Sequence, residues 1–157
     1  MYVCADTVKK GSLTKIQLDA REVNQYSPLT LAFLGDSVYE QLVRERLVLE
    51  ANRPVGQLHK MAVERVRANF QARAAQVIAP LLTGEEEAVF KRGRNATANT
   101  VPKSSNPLEY RRATGLECLF GYLYLKGETG RLDLLFQQIW DMNKETADES
   151  EARHFPK

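Results

Sequence analysis

Two acidic residues stand inside otherwise apolar helical sequence, and each has a glycine close by. Asp36 directly follows Gly35 in the stretch LAFLGDSVYE, residues 31–40. Glu117 is the only charged residue in the run GLECLFGYLYL, and Gly121 follows it by about one helical turn. Because a buried carboxylate without a partner is costly, we expect both acids to have a specific role.

Glycine inside a helix usually marks close packing, so two helices that cross at these glycines would bring Asp36 and Glu117 face to face. Two such acids resist ionising together unless a cation neutralises them, and Mg²⁺ is typically held by one or two carboxylates, water and substrate phosphate. For either acid alone, pairing with Arg44, Arg111 or Arg112, or capping of a neighbouring helix, is an equally good interpretation. Both acids, together with the basic zone and the polar loop described below, favour a metal-dependent phosphodiesterase.

Apolar periodicity and helix-boundary signals predict an all-α fold. Ser27 and Pro28 are typical of a helix start, and Thr83 with Glu86 forms a predicted capping box. The first long helix is apolar on nearly every side, which predicts a central helix packed on most of its faces. The predicted helices span about 28–49, 55–78, 84–92, 108–125 and 130–144, with a short one near 14–22.

The 157 residues form one domain long enough for a substantial core. We divide the chain into an N-terminal extension, a folded domain and a C-terminal tail, at residues 1–24, 25–145 and 146–157. No apolar run approaches the ~20 residues of a membrane span, and the start lacks a secretory signal. Cys4 and Cys118 suit a reducing cytoplasm and lack zinc-binding spacing, so a cytoplasmic protein without a membrane partner is expected.

Charge is unevenly distributed along the chain. Residues 53–112 hold 11 Lys and Arg against 5 Asp and Glu, whereas the other residues hold 11 against 15. This basic zone is consistent with a polyanionic partner, although a solvated helical surface explains charge alone equally well. Residues 92–107 read as a polar loop of a length that is usually functional or disordered.

The segments LAFLGDSVYE, NATANTVPK and TGLECLFGYLYL together resemble the ribonuclease III family. The closer similarity is to its compact bacterial branch, mini-ribonuclease III, which consists of the nuclease domain without a double-stranded-RNA-binding domain. The resemblance runs from about Tyr26 to Met142. It implies an all-helical endonuclease domain that forms a homodimer, with two active sites along a valley for double-stranded RNA.

Carried over residue by residue, the resemblance makes Asp36 and Glu117 the catalytic metal ligands. Ala32, Thr114 and Leu29 stand where ordinary ribonuclease III has further acids. The same losses are expected in the compact branch, but they put a two-metal mechanism in doubt, since two carboxylates are few ligands for two ions.

The resemblance also implies the chemistry and the substrate. We expect Mg²⁺, with Mn²⁺ as a substitute, to support hydrolysis of phosphodiesters in double-stranded RNA, giving 5′-phosphate and 3′-hydroxyl products. The compact branch is associated with trimming the stem of precursor 23S ribosomal RNA. A large-subunit ribosomal protein is a further partner to consider.

Other side chains are candidates for supporting roles. Glu40 lies one turn after Asp36, where it could reach the metal through water, although an ion pair with Arg44 is an equally good interpretation. His59 is not expected to act as a general base. A-form RNA is contacted through phosphates and 2′-hydroxyls. The candidates for such contacts are Lys60, Arg65, Arg67, Arg73, Lys91, Arg92, Arg94, Asn95, Thr97 and Lys103.

Three alternatives remain at this point. The absent acids at Ala32 and Thr114 fit a non-cleaving factor that binds structured RNA or assists ribosome assembly. A truncated ordinary ribonuclease III is less consistent, because a fragment would keep those acids. A purely structural helical dimer is least consistent, because two unpaired buried acids would only destabilise it.

Overall fold

The chain folds into α-helices that surround one central helix. The computed structural model describes residues 16–96 and 106–152, and of residues 143–152 the helical backbone alone. Within these ranges there is no β-strand, which confirms the all-α class. No described helix is long and apolar enough to cross a membrane. The helices are α1 (Ala20–Asn24), α2 (Pro28–Glu50), α3 (Val55–Val66), α4 (Ala68–Ile78), α5 (Gly84–Asn95), α6 (Pro107–Leu125) and α7 (Thr129–Ala152), with a 3₁₀ turn at Ala79–Leu81.

The central helix is α6, which is buried over most of its length. α2, α4 and α5 pack on its sides, and α7 packs on α4 and α6. An aromatic cluster joins three of these helices, because the Tyr39 ring lies 5.7 Å from Phe120 and 5.9 Å from Phe136 in edge-on geometry. The core therefore holds α2, α6 and α7 in fixed relative positions.

α2 and α6 cross at the two glycines noted in the sequence. A Cβ atom built on Gly35 would lie 1.7 Å from the Glu117 carbonyl oxygen, and one on Gly121 would lie 2.0 Å from the Leu31 carbonyl oxygen. Both distances are far inside van der Waals contact, so only glycine allows these backbones to touch. The prediction that the helices cross here is confirmed.

The single helix predicted over 55–78 is wrong, because two helices, α3 and α4, meet there at Arg67. Arg67 has an extended backbone, with φ −66° and ψ 147°. The break leaves the last carbonyls of α3 without helical donors. The buried Tyr39 hydroxyl supplies one by donating to the Arg65 carbonyl over 3.1 Å. No proline or glycine marks the break, so periodicity alone could not reveal it.

α4 buries more of its surface than the predicted apolar stripe. Phe70 and Ala74 of that stripe are buried as expected, but Val77 is exposed while Gln71 and Ile78 are buried. α4 thus turns Gln71 toward the interior, where α4 packs against α6.

The two helix starts for which the sequence predicted a cap are confirmed. The Ser27 hydroxyl accepts from the Thr30 amide over 3.1 Å, and Thr83 and Glu86 form the predicted capping box. The short N-terminal helix lies at Ala20–Asn24, later than predicted, and α7 continues to Ala152. α5 continues to Asn95, so the first residues of the predicted polar loop are helical. Residues 97–105 of that loop lie outside the described residues.

Candidate active site

Asp36 and Glu117 lie together at the crossing of α2 and α6. Gly35 sets this arrangement, because its contact with the Glu117 backbone leaves Asp36 beside that residue. Glu117 is half-buried, but Asp36 is exposed, so the expectation that both acids are buried is wrong for Asp36. The physical reason is that α2 packs on α6 with one face only, and its outward face is open in the described part of the chain.

The two carboxylates raise the cost of ionising this site. Burial, followed by the charge of Asp36, raises the pKa of Glu117 to about 7. Asp36 is exposed as a residue, but the partial loss of water around its carboxylate, followed by the charge of Glu40, also raises its pKa above the ordinary value. A cation bound between Asp36 and Glu117 would remove this cost, because it favours the ionised form of both groups.

Neither acid has the arginine partner that sequence reasoning left open. Among the described side chains, the ion pairs involve other residues, and Arg44 pairs with Glu40. Arg44 Nη2 and Nε donate to Glu40 Oε1 over 2.5 and 2.9 Å. The structure therefore agrees with the alternative interpretation, in which Glu40 forms an ion pair with Arg44. Glu40 is also close enough to Asp36 for its charge to raise the pKa of that residue.

The surroundings of Glu117 include one residue that sequence reasoning missed. Gln71 on α4 is almost fully buried, and its side-chain amide lies close to the Glu117 carboxylate. Burial and the charge of Asp36 raise the pKa of Glu117, whereas this amide lowers it. Tyr39 is also nearby: burial raises its pKa, Arg65 lowers it and the charge of Glu117 raises it further. The polar type of Gln71 was visible in the sequence, but its burial was not, because a glutamine beside an apolar stripe is ordinarily exposed.

The candidate RNA contacts on α3 and α4 have different environments. Lys60, Arg67 and Arg73 are exposed, and His59 is exposed on α3 as well. Arg65 instead lies 4.7 Å from the centre of the Trp140 ring and donates to the Met61 carbonyl, so packing holds this guanidinium. Lys60, Arg67 and Arg73 are therefore the candidates on these helices that are open to an RNA backbone.

The remaining candidates belong to the end of α5 and the segment after it. Lys91 pairs with Glu87 over 2.6 Å, and Arg92 donates to the Asn24 side chain over 2.6 Å. Arg94 donates to the Asn95 side chain over 3.2 Å. The arginines complement the negative end of the α5 dipole as well as adding positive charge to the surface. Thr97 and Lys103 lie outside the described residues.

The outward face of α2 carries exposed apolar side chains beside the acids. Phe33, one turn before Asp36, is 83% exposed, Leu29 is exposed on the same helix, and Tyr26 is exposed just before the helix begins. The prediction that α2 is packed on most faces is therefore wrong for the described chain. Apolar groups of this size in one stripe are typical of an interaction surface.

The described residues contain no group of three or more His, Cys, Asp or Glu side chains arranged to hold a metal. Two carboxylates with an open side are nevertheless a donor set that suits one Mg²⁺ ion, because this ion keeps several waters and takes further oxygens from a phosphate. The site can thus bind one hard divalent cation and present it to a phosphodiester.

Comparisons with known proteins agree on one family. Residues 29–128 match the family model described as Ribonuclease III domain. The chain is 46% identical over 123 residues to "Mini-ribonuclease 3" of Thermoanaerobacter sp. (strain X514), covering 78% of this chain and 87% of that protein. It is 46% identical over 114 residues to "Mini-ribonuclease 3" of Symbiobacterium thermophilum, covering 73% and 88%.

A solved structure agrees with these sequence matches. The crystal structure of a protein from Fusobacterium nucleatum superposes with a TM-score of 0.71 at 29% identity, covering 78% of this chain and 98% of that chain. The matched family region contains both Asp36 and Glu117.

Proposed function

The chain belongs to the ribonuclease III family, in its mini-ribonuclease III branch, and on this premise we propose that it is an endoribonuclease that hydrolyses phosphodiesters in double-stranded RNA. One observation carries the proposal: the glycine crossing of α2 and α6 brings Asp36 and Glu117 together at an open surface. The matched family model spans both residues, so the family and the site geometry support the same activity.

Asp36 and Glu117 would hold one Mg²⁺ ion, with Mn²⁺ as a substitute. The residues fit this ion, because they are two neighbouring carboxylates that take part in none of the ion pairs among the described side chains. The bound ion supplies Lewis-acid stabilisation of the negative charge that develops on the phosphate and the leaving oxygen. Two protein carboxylates favour one ion over two.

The side chains of this site have distinct tasks in the reaction. Asp36 is exposed and points its charge to the surface where a phosphate arrives, while the half-buried Glu117 is held by the α2–α6 crossing. A water molecule attacks phosphorus, the bond from phosphorus to the 3′ oxygen breaks, and the products carry a 5′-phosphate and a 3′-hydroxyl. Glu40, which is paired with Arg44, would be the further carboxylate able to reach the ion through water.

The active protein is a homodimer formed by the outward face of α2. Phe33 is 83% exposed, Leu29 is exposed on the same helix and Tyr26 is exposed just before the helix begins, so this face exposes apolar area that a second copy would remove from water. An isologous contact places the two sites symmetrically, which suits the two strands of a duplex. Asp36, next to this face, becomes more enclosed in such a dimer.

The substrate is a base-paired stem, as in precursor 23S ribosomal RNA, in the cytoplasm. The basic zone of residues 53–112 supplies charge for the phosphate contacts that dominate affinity for nucleic acids. Lys60, Arg67 and Arg73 are exposed on α3, at the junction and on α4, where they can follow a phosphate backbone.

Cleavage of a labelled RNA duplex tests this function. The purified protein is incubated with the duplex and with one of its single strands, in Mg²⁺ and then in EDTA. We expect cutting of the duplex alone, only with Mg²⁺, and 5′-phosphates on the new ends. Binding without cutting would instead support the alternative, a non-cleaving RNA-binding or ribosome-assembly factor, which is consistent with the small number of carboxylates.

A further inference from the structure

Gln71 has a polar group that its surroundings leave unsatisfied. Its side chain is 1% exposed, and its Nε2 is the one buried side-chain nitrogen or oxygen of the described residues without a hydrogen-bond partner. A buried donor without an acceptor destabilises a folded protein. The other buried residues of α4 are all apolar: Phe70, Ala72, Ala74, Ala75 and Ile78. Packing alone would therefore accept an apolar residue at this position.

The Glu117 carboxylate is the acceptor within reach of this amide. α4 packs against α6, and Gln71 acts on the Glu117 carboxylate as a hydrogen-bonding neighbour, although Nε2 does not meet ordinary hydrogen-bond geometry. A hydrogen bond between them strengthens when the carboxylate is ionised, because a charged acceptor binds a donor more strongly than a neutral one.

The other donors near Glu117 are already used. The Tyr39 hydroxyl, which feels the charge of Glu117, donates to the Arg65 carbonyl over 3.1 Å. The Thr114 hydroxyl, one turn before Glu117 on α6, donates to the Tyr110 carbonyl over 3.0 Å. Gln71 is thus the side chain with a free donor for orienting Glu117.

We propose that Gln71 is a positioning residue, whose Nε2 donates to the Glu117 carboxylate and turns that carboxylate toward Asp36 so that the two bind a divalent cation. This inference rests on the proposed function, since it assigns a metal to the same pair. Groups that orient metal ligands in this way typically change metal affinity by about 10- to 100-fold when removed.

Replacement of Gln71 by an unbranched apolar residue of similar length tests the proposal. The variant is Gln71→Met, and the matched control is Gln76→Met, on the exposed side of the same helix. Three quantities are measured on the full chain: Mn²⁺ affinity from the electron paramagnetic resonance signal of free Mn²⁺, the melting temperature in EDTA, and duplex affinity in EDTA. A purely structural role would lower the melting temperature, whereas a positioning role changes the metal affinity.

We expect Gln71→Met to weaken Mn²⁺ binding by about tenfold or more, with an equal or higher melting temperature and unchanged duplex affinity. Gln76→Met should match the wild type in all three. Unchanged Mn²⁺ affinity in Gln71→Met would overturn the proposal, as would weaker affinity that accompanies a clearly lower melting temperature. If Gln71→Met does not fold, Gln71→Leu replaces it under the same criteria, and failure of both to fold makes the role structural and overturns the proposal.

The wild-type protein separates this inference from the proposed function. A wild type that neither binds Mn²⁺ nor cuts duplex RNA contradicts the proposed function itself. A wild type that does both, with Gln71→Met binding Mn²⁺ equally well, contradicts only the role of Gln71.

Discussion

At the scale of single residues, Asp36 and Glu117 differ in environment although they lie side by side. Asp36 is exposed on α2, where its carboxylate is free to meet an incoming phosphate. Glu117 is half-buried on α6, and burial and the charge of Asp36 raise its pKa to about 7. A raised pKa means that the folded protein holds this proton more tightly than the unfolded chain does. Ionising Glu117 in the metal-free protein therefore lowers the free energy of unfolding.

The sign of that pH dependence can be predicted. The folded pKa of Glu117 is above its ordinary value of 4.5, so its contribution to stability is full below pH 4.5 and is lost as pH rises through about 7. Glu117→Gln removes the titrating group. In EDTA, we expect the wild type to lose stability relative to Glu117→Gln as pH rises from 4.5 to 8. The difference between their free energies of unfolding should change by as much as ~3 kcal/mol over this range.

Urea denaturation of both proteins at pH 4.5, 6 and 8 measures this difference. Asp133→Gln, at an exposed carboxylate on α7, serves as the control and should follow the wild type at every pH. Parallel stability curves for Glu117→Gln and the wild type would show that Glu117 titrates normally and that its environment is not the one described.

At the scale of secondary structure, the close crossing of α2 and α6 is the feature that creates the site. Gly35 and Gly121 let the backbones touch, and any Cβ at Gly35 would overlap the Glu117 carbonyl. Only a shift of one whole helix relieves that overlap. The crossing therefore couples the stability of the fold to the separation of the two acids.

Gly35→Ala tests this coupling. We expect it to lower the free energy of unfolding by about 3 kcal/mol or more, because overpacking against backbone cannot be relieved by a side-chain movement. Gly130→Ala on α7 is the matched control, since a Cβ there meets nothing within 4 Å. Chemical denaturation should leave the control equal to or slightly more stable than the wild type. An equally stable Gly35→Ala would mean that the helices do not touch at this point.

The sequence allowed much of this site to be predicted, and the exceptions have physical causes. Glycines next to isolated acids indicated the crossing, because that combination is unfavourable in an ordinary apolar helix. The break at Arg67 could not be foreseen, since it depends on a tertiary hydrogen bond from Tyr39 and not on proline or glycine. The burial of Gln71 could not be foreseen either, because glutamine is ordinarily an exposed residue. The exposure of Asp36 was also missed, because the exposed apolar residues of α2, such as Phe33, look like core residues in the sequence.

At the scale of the whole molecule, an exposed apolar face lies beside the acids. Phe33 and Leu49 are both 83% exposed on α2, but they lie near opposite ends of this helix. Phe33 is close to Asp36, whereas Leu49 is four turns of helix away from Phe33. The homodimer proposed above uses the end that contains Phe33.

Phe33→Ser should weaken the dimer without unfolding the protomer. Burying a phenylalanine contributes about 1.5–3 kcal/mol, and a symmetric interface contains it twice, so the dimer dissociation constant should rise by about 100-fold or more. Sedimentation velocity across a concentration series measures this constant. Leu49→Ser is the matched control and should dimerise like the wild type. Equal dimerisation of both variants would place the interface elsewhere.

The most direct test of the whole account is the single-turnover rate of duplex RNA cleavage by Asp36→Asn. This change keeps the shape of the side chain but removes one of the two charges that would hold the cation. Asp133→Asn, the same change at an exposed position on α7, is the control. We predict that Asp36→Asn loses cleavage by orders of magnitude in saturating Mg²⁺ while it binds the duplex and melts as the wild type does, and that Asp133→Asn cleaves normally. Cleavage by Asp36→Asn at a rate close to that of the wild type would contradict the assignment of Asp36 and Glu117 as the active site.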